Sequence, residues 1–157
     1  MEGEVVMDMS LIARALQRGG GLVPTLGIEL VEDDSGSPGC RMPIRQELTG
    51  SPGIAHGGAV AALLDTALGA LAIQRALRRG RVPATVELKT NFLRPVRRGE
   101  VLFTRTQLES EGKSLLVISG RAFAEGDDEP VAFAVGTFNL YDSPQMLEGL
   151  ARLGEDA

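Results

Sequence analysis

Hydrophobic and polar positions along the chain switch from a helical to a two-residue rhythm, and the changes mark out the elements. Near the N-terminus, Leu11, Ile12, Ala15 and Leu16 fall on one face of a short helix over residues 8–18. Asp8 or Ser10 can cap it, and Gly19-Gly20-Gly21 ends it. Two strands are predicted next, over residues 25–32 and 39–47, with the Gly, Pro, Ser and Asp of residues 33–38 as the turn between them. In the second, Cys40, Met42 and Ile44 alternate with Arg41 and Arg45. Residues 59–73 are apolar nearly all round, broken only by Asp65 and Thr66, which predicts a buried helix. The run is too short and too rich in Ala and Gly for a bilayer span, which takes about 20 apolar residues.

After that helix the period is two. Val86, Leu88 and Phe92 alternate with Glu87, Lys89 and Asn91 in a strand that Pro95 closes. Residues 101–108 and 115–124 form two more strands, joined through Ser110-Glu111-Gly112-Lys113. Residues 131–141 make the last, entered through Gly126-Asp127-Asp128-Glu129-Pro130, and residues 144–153 form a short tail helix that looks dispensable. One long apolar helix flanked by consecutive strands is an α+β pattern. The simplest way to bury such a helix is to wrap an antiparallel sheet around it.

At 157 residues the chain is a single domain able to bury a substantial core. The start, Met1-Glu2-Gly3-Glu4, leads into no apolar signal segment, so a cytoplasmic location is expected. One cysteine and one histidine leave no Cys/His metal cluster, and neither metal nor cofactor is expected. A net charge of −5 argues against nucleic-acid binding, and no membrane partner is expected. Arg75, Arg78, Arg79 and Arg81 suit a helix C-terminus. Arg94, Arg97 and Arg98 are either a solvated turn or a seat for a phosphate-bearing ligand.

Chemistry concentrates around the buried helix. A carboxylate in its middle is costly unless it is paired or functional, so Asp65 is either a catalytic group or bonded to a neighbouring strand. Gly57 and Gly58 at the helix start would let a ligand approach unpaired backbone N–H groups carrying partial positive charge. That is where a carbonyl oxygen gaining charge under attack would be stabilised. His-Gly-Gly also reads as a tight strand-to-helix turn, and His56 is a candidate either for bracing that turn with its ring or for a catalytic role, shuttling protons. Asp65 lies eight residues beyond Gly57, so about 12 Å along the axis at about 1.5 Å per residue. If both act in one reaction, they must come from two chains related by a two-fold axis.

The string Gly53-Ile54-Ala55-His56-Gly57-Gly58, with Asp65 nine residues after the histidine, resembles the signature of the hotdog-fold thioesterases. The likeness is greatest to the phenylacetyl-CoA thioesterase-like (PaaI) branch, and Thr85 to Pro95, ending Phe92-Leu93-Arg94-Pro95, resembles the strand after the helix there. The similarity runs from about Leu26 to Tyr141. It implies one hotdog domain over residues 1–157, hydrolysing a small or medium acyl-CoA to free acid and CoA. It further implies a homodimer with sites shared between chains, and often a homotetramer. On this pattern Gly57 polarises the thioester carbonyl, Asp65 is nucleophile or general base, and Thr85 stands near the attacking water. Where the family usually has an Asn contacting the thioester, this chain has Gly50. A hotdog hydratase or dehydratase and a non-catalytic acyl-thioester binder are the alternatives.

Overall fold

The computed structural model describes residues 9–18 and 20–155. Asp8 and Gly19 lie outside them. In chain order the elements are α1 (Met9–Gln17), α2 (Leu22–Leu26), β1 (Glu29–Glu32), β2 (Pro38–Pro43), β3 (Thr49–Ser51), β4 (Ile54–Ala55), α3 (Gly57–Leu77), β5 (Val82–Phe92), β6 (Val101–Glu111), β7 (Leu115–Ala124), β8 (Pro130–Tyr141) and α4 (Pro144–Glu155). Six strands form one antiparallel sheet in the order β1-β2-β6-β7-β8-β5, and β3-β4 is a separate two-stranded hairpin. The sheet wraps α3, which packs against β2, β5, β6, β7 and β8. This is the hotdog arrangement expected from the sequence.

The helix sits close to the sheet because the strands beneath it carry small residues. A Cβ at Gly120 would stand 2.5 Å from Leu68 Cδ1, and one at Gly136 would stand 3.1 Å from Leu68 Cδ2. Ala122, Ala132 and Ala134 continue the same floor and are fully buried. Over it lie Leu63, Leu64, Ala67, Leu68 and Leu71, each buried. Removing any of the large ones would leave a cavity worth about 2–5 kcal/mol.

Several expectations need correction. Residues 22–26 are helical, and the strand begins only at Glu29. Gly21 and Gly27, both at positive φ, bracket a single turn, and Gly27 closes it in the left-handed conformation with its N–H on the Pro24 carbonyl. The strand expected over 39–47 stops at Pro43, and Gln46–Leu48 is a 3-10 turn. The apolar side of that strand is as expected: Cys40, Met42 and Ile44 are all buried. Burial also pushes the Cys40 thiol up to about 12, leaving it an inert core residue. At 21 residues, α3 is long and apolar enough to cross a bilayer by length and composition, so the expected length argument fails. The sheet packed on it accounts for its apolarity instead.

Nor is α3 buried all round. A stripe of Ala62, Asp65, Thr66, Gly69 and Ile73 is half exposed and faces the side where α1 and α2 lie. Cations at its C-terminal end do more than offset the helix dipole. Arg75 and Arg79 pair with Glu111, Arg79 donates to the Gly112 carbonyl, and Arg81 donates to the Lys113 carbonyl and Asp142. They tie the helix end to the β6–β7 turn. The tail helix α4 packs on α1, so it is part of the folded unit.

Candidate active site

Three stretches converge on the start of α3. The His56 backbone N–H donates to the Leu48 carbonyl and the Ala55 N–H to the Val96 carbonyl, fixing the approach to the helix. His56 is the N-cap: its Nδ1 accepts the Gly58 N–H at 2.9 Å. That bond places the ring proton of the neutral imidazole on Nε2. The Ala59 and Val60 N–H groups turn back to the His56 carbonyl. The Gly57 N–H has no acceptor among the described residues. Gly57 lines a cavity of about 400 Å³ with Ile54, Ala55, Val60, the Phe92–Val96 segment and Val131. A Cβ at Gly57 would meet the Phe92 ring at 3.3 Å, so a side chain there would press on Phe92.

Two turns further along, Asp65 lines a second cavity of about 260 Å³ with Thr66, Gly69, Pro83, Thr85 and Phe138. No described residue lines both this space and the Gly57 cavity. Thr85 Oγ1 donates to Asp65 Oδ1 at 3.4 Å. Burial raises the Asp65 carboxyl above its ordinary value, and the Thr85 hydroxyl, which favours the ionised form, offsets part of that rise. Thr66 takes no part: its hydroxyl donates to the Ala62 carbonyl of its own helix.

A β-bulge delivers Thr85. Its partner across the ladder is Phe138, whereas Glu87 pairs with the next residue, Thr137, leaving Val86 as the extra residue. Residues directly opposite share a face, so Thr85 follows buried Phe138 toward α3 while Glu87 faces outward. In an unbroken strand Thr85 would follow Glu87. The bulge re-aims it at Asp65, and strict alternation in the sequence gave no sign of it.

The remaining candidates are dispersed. Gly50 lies on β3, where a Cβ would stand 2.9 Å from His56 Cδ2. Gly58 lines a separate shallow cavity with His56, Glu47 and Ala62. Arg94 borders the Gly57 cavity, but its guanidinium pairs with Asp127 and Glu129 and donates to the Glu129 and Pro130 carbonyls. Arg98 donates to Gln46 Oε1, and Arg97 is exposed beside it. Among the described residues no group of His, Cys, Asp and Glu gathers to hold a metal ion.

Residues 52–131 match the thioesterase superfamily. The chain belongs to that family. Over 117 residues it is 36% identical to an esterase-named protein of Saccharolobus solfataricus, covering 74% of this chain and 75% of that one. A Bacillus halodurans protein solved with CoA is 29% identical, with a TM-score of 0.71 over 86% of this chain and 91% of that one. The PaaI protein of the E. coli phenylacetic acid degradation operon shares the fold, with a TM-score of 0.74 at 21% identity over 86% of this chain and 94% of that one. This member of the thioesterase superfamily is therefore a hydrolase.

Proposed function

We propose that this hydrolase cleaves the thioester of acyl-CoA, releasing a free acid and CoA, at a site assembled from two copies of the chain. The observation that carries the proposal is the half-buried Asp65 carboxylate, facing a cavity and held by Thr85. Its raised pKa makes it a better base than a free Asp. Acting as base, it takes the proton of a water whose oxygen attacks the thioester carbon. The C–S bond then breaks and the thiolate leaves, taking up a proton. Acting as nucleophile, the carboxylate itself attacks, and water hydrolyses the resulting anhydride. In both cases negative charge builds on the carbonyl oxygen, and a donor such as the unpartnered Gly57 N–H stabilises it. Losing one such donor elsewhere costs about 10²–10³ in rate.

The second copy is needed because the two groups open into different cavities of one chain. β5 supports the arrangement. Among the described residues it ends the sheet and pairs only with β8, and it exposes Val86 and Phe92 by 63% and 56%. An open strand edge of this kind is a template for another strand. A two-fold axis near the middle of β5 would set Thr85 of one chain across from residues 91–92 of the other. Phe92 packs on Gly57, so Asp65 would then face the partner's Gly57. The CoA bound by the Bacillus halodurans relative supports a CoA thioester as substrate here.

A panel of acyl-CoAs assayed for thiol release tests this. Release supports the proposal. A change in enoyl absorbance without thiol indicates a lyase, and binding without either indicates a carrier.

A further inference from the structure

The Asp65 cavity does not end the apolar space on that side of the helix. Leu16, Ile73 and Pro83 line it and also line an adjoining cavity of about 220 Å³. The adjoining space is closed by Leu11 and Ile12 of α1, Leu77 of α3, and Met146 and Leu150 of α4. Among the described residues every side chain around it is aliphatic, a proline or a methionine, with no hydroxyl, amide, charged or aromatic group. Such a lining offers nothing to orient a polar ligand and suits a flexible hydrocarbon.

Gly69 is the second observation. It stands between Asp65 and Ile73 on α3 and lines the Asp65 cavity. Apart from proline, glycine is the least favourable residue in a helix interior. At most close helix–sheet contacts a Cβ would collide with a neighbour; at Gly69 it would meet nothing within 4 Å. No packing contact accounts for this glycine, and the space a side chain would fill is the floor of the cavity.

We propose that the two cavities form one acyl channel, which runs from Asp65 over Gly69, passes the neck of Leu16, Ile73 and Pro83, and ends under α1 and α4. It takes a straight aliphatic acyl chain of about twelve to fourteen carbons. This rests on the acyl-thioesterase reading above. Asp65 to Leu77, the last α3 residue lining the second cavity, spans about 18 Å of helix, and an extended chain with bonds of about 1.5 Å advances about 1.3 Å per carbon. A bulky aryl group would stop in the first cavity. Both α1 and α4 lie outside the 52–131 segment that matches the family, so chain-length preference is set by elements that flank that segment.

The test is kcat/KM of the full chain for straight acyl-CoAs from acetyl to palmitoyl, with phenylacetyl-CoA alongside. The expected profile climbs toward dodecanoyl- and tetradecanoyl-CoA, by at most about fourfold per buried methylene, and falls by palmitoyl-CoA. Gly69→Leu should lower kcat/KM for decanoyl-CoA at least about tenfold more than for butyryl-CoA, while its thermal midpoint holds or rises because glycine leaves the helix. Leu150→Ala should move the optimum to longer chains and Leu150→Trp to shorter ones. Thiol release with a flat profile overturns the channel and leaves the thioesterase reading standing. So does phenylacetyl-CoA outpacing every straight chain, or Gly69→Leu slowing all substrates equally. No thiol release from any acyl-CoA overturns both.

Discussion

Gly57 and Asp65 belong to the same helix, eight residues apart, and their surroundings differ in almost every respect. Gly57, whose N–H has no acceptor among the described residues, lines an open cavity with Phe92, Arg94 and apolar neighbours, and no described carboxylate lines it. At Asp65 a carboxylate is held half-buried by Thr85, in a cavity none of the α3 N-terminal residues line. In the proposed reaction one end would stabilise negative charge and the other would supply a base. Each would be half of a hydrolytic site, and a rigid helix keeps the halves of one chain apart. The open edge of β5 is the feature that can bring complementary halves together.

Asp65→Asn should have the largest effect. It keeps the size and removes the basic oxygen, so kcat should fall about 10²–10⁴-fold with little change in KM. Wild-type activity should rise with pH through a value above that of a free Asp. The same substitution should stabilise the fold. Burial penalises the ionised form, so the wild type is most stable below the unfolded-state pKa and loses stability as pH rises to the shifted folded value. Urea midpoints for Asp65→Asn should therefore be higher at neutral pH and flat through that window. A variant that keeps wild-type kcat ends the assignment.

Mixing tests whether the halves meet across chains. Asp65→Ala and a Gly57 variant, each shown to be folded, should regain about a quarter of wild-type activity when dissociated and reassembled together. Random pairing makes about half the dimers mixed, each with one intact site. Mixed dimers confirmed by mass but still inactive would place the partner of Gly57 in its own chain.

His56 asks how far the Gly57 end is structural. Its Nδ1 caps α3, so His56→Ala should cost about 1 kcal/mol of stability and lower kcat far less than Asp65→Asn does. A kcat loss matching that of Asp65→Asn would make the imidazole a participant. Gly50 belongs to the same test. Placing Asn there, as the family usually does, forces a Cβ to within 2.9 Å of His56 Cδ2. The capping ring occupies that space, so Gly50→Asn should weaken the cap.

The smallest effect is expected at the arginine turn. With Arg94 taken up by Asp127 and Glu129, only Arg97 and Arg98 remain for the anionic part of CoA. Exposed charges are worth up to about 1 kcal/mol each. Arg97→Ala with Arg98→Ala should raise KM for acyl-CoA several-fold, and less for a thioester lacking the nucleotide. Equal effects on both substrates return the pair to a solvated turn.

The amino-acid sequence by itself determined the central helix, the four long strands after it, the isolated carboxylate and the Gly57 turn. Each is written in side-chain periodicity or in a residue type that only one kind of environment tolerates, and both signals are local. The short helix α2 was hidden because its boundaries rest on the φ of Gly21 and Gly27, which residue pattern does not reveal. Tertiary structure alone decided the rest. Thr85 reaches Asp65 only because a bulge at Val86 changes which face of β5 it occupies, and a bulge is a property of two paired strands. Arg94 left the candidate ligand seat because residues 35 positions away in sequence fold against it. Gly69 reads as a flaw in a helix until the empty space beside it is seen. Contacts between distant segments depend on how the whole chain packs, and no short window of sequence contains them.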